Sequence, residues 1–80
     1  MSKIEIKNSK NIGKLFRELR KKQKLTQEQI AGLSNLGNRF IVELEAGKPT
    51  LQIDKTLHAL RTLGLKVYLE NALLEEEINE

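Results

Sequence analysis

The stretch from Leu25 to Thr50 has the residue pattern of two short helices joined by a tight turn. Thr26 is a good N-cap residue, and Gln29 three positions later completes a capping box, which satisfies two free backbone N–H groups at a helix start. Asn35 tolerates a left-handed backbone and predicts the end of the first helix. Gly37 predicts the N-cap of the second. These local signals predict where the first helix begins and ends and where the second begins.

Apolar spacing in the same stretch predicts how the two helices pack. Ile30 and Leu33 are the predicted apolar face of the first helix, and Ala31 is small where the second helix must cross closely. Ile41 and Leu44, three residues apart, predict the buried face of the second helix. We therefore expect two core residues to set the orientation of that helix.

Counted from Gln27, the chain has a small residue at the fifth position, a turn residue at the ninth, a β-branched apolar residue at the fifteenth and leucine at the eighteenth. This spacing resembles the helix-turn-helix of the phage-repressor (Xre) superfamily. The resemblance implies a mainly α, four-helix, lambda-repressor-like domain that binds double-stranded DNA. The alternative for the same pattern is a plain pair of antiparallel helices in a bundle.

Length and composition limit the other possibilities. Eighty residues make one domain with a shallow core, which often gains stability by oligomerising. The chain has no cysteine, and no apolar run approaches the length of a membrane span or a signal peptide. No Ser/His/Asp set, paired carboxylates, phosphate loop or metal-ligand cluster occurs. We expect a cytoplasmic, non-enzymatic protein with no cofactor, no metal and no membrane partner.

Charge is distributed unevenly along the chain. All 14 Lys and Arg residues precede residue 70, together with six of the 11 acidic residues, so residues 1–69 carry a formal charge of +8. The remaining five glutamates give residues 70–80 a charge of −5. A basic body with an acidic tail is typical of a nucleic-acid-binding domain with an appended interaction segment. A solvated tail without a partner is the alternative.

The first helix is expected to begin after Ser9. Its apolar stripe has the helical spacing i, i+3, i+4 and i+7 and consists of Ile12, Leu15, Phe16 and Leu19. The opposite side carries basic residues that are either solvated charge or a field attracting phosphate, namely Lys14, Arg17, Lys21 and Lys22. The Xre resemblance also implies a partly buried ion pair between Arg20 and Glu45, which ties the first helix to the third.

A fourth helix is predicted after Pro49. Thr50 is its expected cap, Gly64 its expected end, and its apolar stripe consists of Ile53, Leu57, Leu60 and Leu63. His58, the one histidine, falls on the opposite face without neighbouring ligand residues, so it is expected to face solvent. The predicted DNA-binding domain therefore spans residues 9–64.

Beyond the fourth helix the apolar period changes to two. Leu65, Val67 and Leu69 alternate with polar or amphipathic residues and predict a strand over residues 65–70. The segment 1–8 alternates in the same way and predicts a short N-terminal strand or arm. The two strands can pair within one chain or across a two-fold axis. We favour an intersubunit sheet formed by residues 65–70, because covering two half-sites requires two copies.

Polar residues near the second helix of the motif are candidate DNA contacts. Side chains expected to contact base edges lie on that helix, and they are Asn38, Arg39 and Glu43. The Xre resemblance implies contacts with the DNA backbone at helix starts and just beyond the motif, assisted by free helix N-terminal amides, and the residues are Thr26, Gln27, Gly37 and Lys48.

The run RFIVELEAGKPTLQIDKTLHALRTLGLKVYL resembles antitoxins of the HipB type, mainly through its GKPT turn and its helix–LGL–strand ending. The resemblance implies a homodimer that binds a palindromic operator, represses its own operon, and neutralises a HipA-like toxin kinase. Asn35 and Gly37 depart from the family pattern, in which glycine and a hydroxyl residue are usual. The alternatives are a stand-alone Xre-family repressor and a helix-turn-helix protein adaptor.

The acidic tail, residues 71–80, is expected to be flexible and has no matching family pattern. It combines two leucines with carboxylates, a composition that can order on a basic, partly apolar groove of a partner. The candidate toxin contacts in the tail are Leu73, Leu74, Glu75 and Glu76.

Overall fold

The computed structural model describes residues 3–73 and contains four helices in that part of the chain. They are α1 (Ser9–Lys22), α2 (Gln27–Ser34), α3 (Asn38–Glu45) and α4 (Ile53–Thr62). Helix α3 packs against both α1 and α2, and α4 packs against α2. The predicted mainly α, four-helix architecture is confirmed.

Local capping explains where α2 begins and ends. The backbone N–H of Thr26 donates to Oε1 of Gln29 at 2.8 Å, and the Gln29 N–H donates to Oγ1 of Thr26 at 3.0 Å. Asn35 ends the helix with φ 57 and ψ 32, in the left-handed region. Gly37 is the N-cap of α3 and provides no side-chain hydrogen bond. The predicted capping box and turn are therefore confirmed.

The core forms where the helices meet. Phe16, Ile30 and Ile41 are fully buried, and the other buried apolar residues are Ala31, Leu44, Ala59, Leu60 and Leu63. These residues come from all four helices and the residue that follows α4. Burial of this set is the main stabilising contribution in a domain of this size.

Leu33 does not belong to this core. Its side chain is 66% exposed, so the prediction that it forms the apolar face of α2 is wrong. Helix α2 instead buries Ile30, Ala31 and Ser34. Ser34 can be buried because its hydroxyl donates to the carbonyl oxygen of Ile30 at 2.7 Å, which leaves no unpaired polar atom. The inward face of this short helix is set by its contacts with α3 and α4.

Helices α1 and α3 approach each other at Gly13. A Cβ atom at this position would lie 2.4 Å from the carbonyl oxygen of Leu44 and 2.8 Å from that of Glu45. Glycine is therefore required here because backbone carbonyls occupy the space of a side chain. The close approach fixes the distance between the axis of α1 and the end of α3.

Helix α4 begins later than predicted, since Gln52 and not Thr50 is its N-cap. Ile53, at its first position, is largely exposed, and the buried residues within the helix are Thr56, Ala59 and Leu60. His58 is exposed as predicted. Its Nε2 also lies 2.7 Å from the carbonyl oxygen of Ser34, a contact between α4 and the end of α2 that the sequence did not predict.

The two predicted strands are absent from residues 3–73. Residues 3–8 and 65–70 have no regular secondary structure, so the structure of the single chain does not support the predicted C-terminal β-strand. A strand requires a partner strand for its backbone hydrogen bonds. The hydrogen bond between these two segments instead joins two side chains, because Nζ of Lys3 donates to Oε2 of Glu70 at 2.8 Å. Leu65 packs against the core of its own chain, whereas Leu69 is 90% exposed.

Candidate nucleic-acid interface

The first turn of α3 presents polar side chains to solvent. Asn38 and Arg39 are exposed, and the Arg39 side chain retains 89% of its accessible surface. The opposite side of the helix holds the buried Ile41 and Leu44. Because these apolar residues anchor α3 in the core, the polar residues of its first turn lie on the outward face of the helix.

Glu43 lies one turn further along α3 and binds two cationic side chains. Its Oε2 is 2.8 Å from Nζ of Lys48 and 3.7 Å from Nε of Arg39. The hydrogen bond from Lys48 lowers the pKa of the Glu43 carboxyl, against a smaller opposing effect of desolvation. Thus Arg39, Glu43 and Lys48 form one charged cluster, which we call the α3 cluster.

A buried ion pair connects α1 to the end of α3. Nε of Arg20 lies 2.5 Å from Oε2 of Glu45, and Nη2 donates to Oε1 at 3.0 Å, a bidentate arrangement. The side chains are 10% and 5% exposed, respectively. The hydrogen bond with Glu45 raises the pKa of Arg20 above its usual value. The structure therefore contains the pair that the Xre resemblance implied.

Two further groups complete this pair, and sequence reasoning missed both. Nη1 of Arg20 donates to the carbonyl oxygen of Leu25 at 2.7 Å, and the side-chain amide of Gln27 donates to Oε1 of Glu45 at 3.2 Å. The sequence predicts a contact between Gln27 and the DNA backbone, because the residue lies at the start of α2. Its side-chain amide binds Glu45 instead. The group of Gln27 that could contact DNA is therefore its backbone N–H, which lies in the first turn of the helix and has no intrahelical partner.

The remaining candidate residues are spread over the surface. Thr26 and Gly37 are exposed at the starts of α2 and α3, where first-turn amides can meet an anion. Val67 and Leu69 lie in residues 65–70, outside the helices. Leu73 is exposed, and the other tail candidates, Leu74, Glu75 and Glu76, lie outside the described residues.

Within the described part of the chain, His, Asp and Glu side chains form no group that could hold a metal ion. The helices of residues 3–73 also include none with the length and apolarity that crossing a membrane requires.

The family model of a helix-turn-helix domain matches residues 13–75. The chain belongs to the helix-turn-helix family. A relative named "Uncharacterized HTH-type transcriptional regulator y4mF", from Sinorhizobium fredii, is 53% identical over 62 residues, which cover 78% of this chain and 82% of the relative. Members of this family bind DNA and regulate transcription, and in this chain the helix-turn-helix unit is α2, the turn at Asn35, and α3.

A solved structure titled "MDT Protein" has the same helix-turn-helix fold. Its TM-score is 0.79 at 17% sequence identity, and the match covers 88% of this chain and 99% of that chain. The similarity extends over nearly the whole length of both chains, so it supports the complete four-helix arrangement and not the helix pair alone.

Proposed function

We propose that this helix-turn-helix protein is a sequence-specific repressor that binds operator DNA as a homodimer, with α3 of each copy in the major groove. The exposed first turn of α3 carries the proposal. Asn38 and Arg39 project from a helix whose other face is anchored by Ile41 and Leu44, so the helix that presents them is held in position before DNA is bound.

The chemistry of the exposed side chains fits base recognition. Arginine matches the O6 and N7 acceptors of guanine, and asparagine matches the N6 and N7 edge of adenine. Glu43 can accept a hydrogen bond from the cytosine amine. Backbone phosphates are assigned to the amides at the starts of α2 and α3, near Thr26, Gln27 and Gly37, and to Lys48.

Dimerisation is proposed through residues 65–70. Val67 and Leu69 alternate along this segment and are exposed in the single chain, as are Ile4 and Ile6 near the N-terminus. A second copy would supply the backbone partner that the segment lacks, forming the intersubunit strand across a two-fold axis. A two-fold dimer predicts a palindromic operator.

A narrower proposal is that the protein is an antitoxin that neutralises a HipA-like toxin kinase. It is supported by the resemblance of residues 39–69 to HipB-type antitoxins and by the exposed Leu73 at the start of the tail. A stand-alone repressor is the alternative. Co-expression with the neighbouring reading frame distinguishes them, because an antitoxin should co-purify with a kinase-fold protein and relieve its toxicity.

Binding to DNA from upstream of the protein's own gene tests the main proposal. We expect fluorescence anisotropy to give tighter binding to the upstream duplex than to a shuffled duplex of equal length and composition, at a stated salt concentration. Equal affinity for the two duplexes, or no binding to either, would contradict a sequence-specific repressor.

A further inference from the structure

Glu43 is unusual among the polar residues of α3 because it already binds the two cations that DNA would use. We infer that Glu43 limits the affinity of the protein for DNA, since its carboxylate occupies Lys48 and Arg39 until a duplex offers a phosphate to Lys48 and a base edge to Arg39. The inference rests on the proposed binding of DNA by α3. It makes Glu43 a residue that determines the ratio of specific to non-specific DNA affinity.

The turn that follows α3 favours the contacts of Glu43. The same oxygen, Oε2, contacts both Nζ of Lys48 and Nε of Arg39. The backbone N–H of Lys48 also donates to the carbonyl oxygen of Glu43 at 3.1 Å, so the chain that leaves α3 returns Lys48 to the side of this carboxylate. Gly47, with φ +80, makes that reversal possible. The ion pair is therefore favoured by the turn itself.

Differences in exposure indicate which group can move. The Glu43 side chain is 26% exposed, that of Lys48 44%, and that of Arg39 89%. The carboxylate is the most enclosed of the three, and the two cations reach it from outside. Approach of a duplex would draw Lys48 to a phosphate and Arg39 to a base edge, and would leave the negative charge of Glu43 close to the DNA backbone.

That residual charge affects different duplexes unequally. Most sequences would meet an unpaired carboxylate at the surface of α3, which weakens binding by repulsion from phosphate. A sequence that places a cytosine amine beside Glu43 would supply a donor and remove the penalty. Glu43 therefore lowers non-specific affinity more than specific affinity, which is how a repulsive group raises discrimination.

The test compares Glu43→Gln with Glu18→Gln, a control with the same change of charge. Glu18 is exposed on α1, and among the described residues it has no ion pair. The probe is a random-sequence duplex of about 20 base pairs, followed by fluorescence anisotropy over a range of KCl concentrations. We expect Glu43→Gln to tighten non-specific binding by about threefold to fivefold and Glu18→Gln to change it much less.

A double-mutant cycle with Lys48→Met separates the local effect from general charge. The gain from Glu43→Gln should fall by at least half in the Lys48→Met background, because one of the two cations it releases is missing. Glu43→Ala, with thermal unfolding to confirm folding, provides a second variant and should give the same gain as Glu43→Gln.

The inference is wrong if Glu43→Gln and Glu18→Gln change affinity equally, or if the gain is unchanged by Lys48→Met. The two proposals can also fail separately. Absence of wild-type binding to any duplex would reject both, whereas wild-type binding that Lys48→Met weakens and Glu43→Gln does not tighten would reject the role of Glu43 alone.

Discussion

Arg20 and Glu45 show how a charged pair can be accommodated in a small core. Every nitrogen of the Arg20 guanidinium donates a hydrogen bond, two to Glu45 and one to the carbonyl of Leu25, and Gln27 supplies a further donor to Glu45. No buried side-chain polar atom of the described residues lacks a partner. Such pairs are poorly replaced one residue at a time, because the remaining charge keeps its desolvation penalty.

We therefore expect Glu45→Gln to destabilise the protein by about 3 kcal/mol, at the lower end of the range for buried pairs because the two side chains keep 10% and 5% of their surface exposed. Urea unfolding followed by circular dichroism measures the change. Glu18→Gln, on the exposed side of α1, is the control and should leave the unfolding midpoint nearly unchanged. Equal midpoints for the two variants would show that the buried pair contributes no more than a surface carboxylate.

The lowered pKa of Glu43 gives a second prediction at this scale. Titration of the side-chain carboxyl, followed by carbon-13 NMR, should give a pKa below the usual glutamate value in the wild type and a higher one in Lys48→Met. Because the pKa is lower in the folded state, the pair stabilises the fold above the unfolded-state pKa and loses that effect as the pH falls. A titration unaffected by Lys48→Met would show that Lys48 is not the cause.

Arg39 and Lys48 are predicted to act on DNA in different ways. Arg39→Ala should weaken operator binding and reduce sequence preference together, since a good bidentate base contact is worth about 1–3 kcal/mol of discrimination. Lys48→Ala should keep the preference and reduce the slope of log affinity against log salt by about one unit. Anisotropy titrations with matched and mismatched duplexes measure both. A uniform loss across sequences for Arg39→Ala would make it a phosphate contact, and an unchanged slope would exclude Lys48.

At the scale of helices, the contact of α1 with α3 is a contact between backbones. The carbonyl oxygens of Leu44 and Glu45 occupy the space in front of Gly13. A Cβ atom at Gly32, in α2, would have no atom within 4 Å beyond its chain neighbours and the nearby backbone of its own helix. The chain thus provides two helical glycines, one required by a close approach and one that is not.

Substitution of these two glycines should have opposite effects. Gly13→Ala is expected to destabilise the protein by about 1–3 kcal/mol, because the carbonyls of α3 cannot move away independently of the helix. Gly32→Ala should stabilise it by up to about 1 kcal/mol through helix propensity. Thermal and urea unfolding of both variants, compared with wild type, give the result. A stable Gly13→Ala would mean that α1 and α3 can separate without loss.

The sequence predicted those features that depend on residues close together in the chain. The Thr26 capping box and the left-handed Asn35 follow from local hydrogen bonding and local backbone preference, and both are present. Leu33 was assigned wrongly because two turns of helix give too few apolar positions to define a face, and packing against α3 and α4 decides it. The role of Gly13 depends on a residue more than thirty positions away, which no spacing rule indicates.

The candidate DNA contacts were predicted with similar limits. The exposure of Asn38 and Arg39 follows from the helical period once Ile41 and Leu44 are placed in the core. The hydrogen bond from the Gln27 side chain to Glu45 depends on how α2 and α3 cross, so the sequence alone does not predict it. The α3 cluster likewise depends on the turn at Gly47, which brings Lys48 back to Glu43.

Residues 65–70 are the proposed interface between two copies of the whole molecule. Val67→Asp should convert a dimer into monomers, because a carboxylate would be buried at the two-fold interface without a partner. Tyr68→Asp is the matched control, since successive side chains of an extended segment point to opposite sides. Light scattering measures the mass in each case. A dimeric Val67→Asp variant would exclude this segment as the interface.

The backbone contact at Gly13 has a consequence for how such a protein changes over time. The position of α3 is set by Gly13, Ile41, Leu44 and Glu45, and none of these residues lies among the exposed side chains of its first turn. Mutations at Asn38 and Arg39 can therefore accumulate without disturbing the contacts that position α3. In the proposed binding mode, new operator preferences arise by drift at a few surface positions, while folding remains under separate selection.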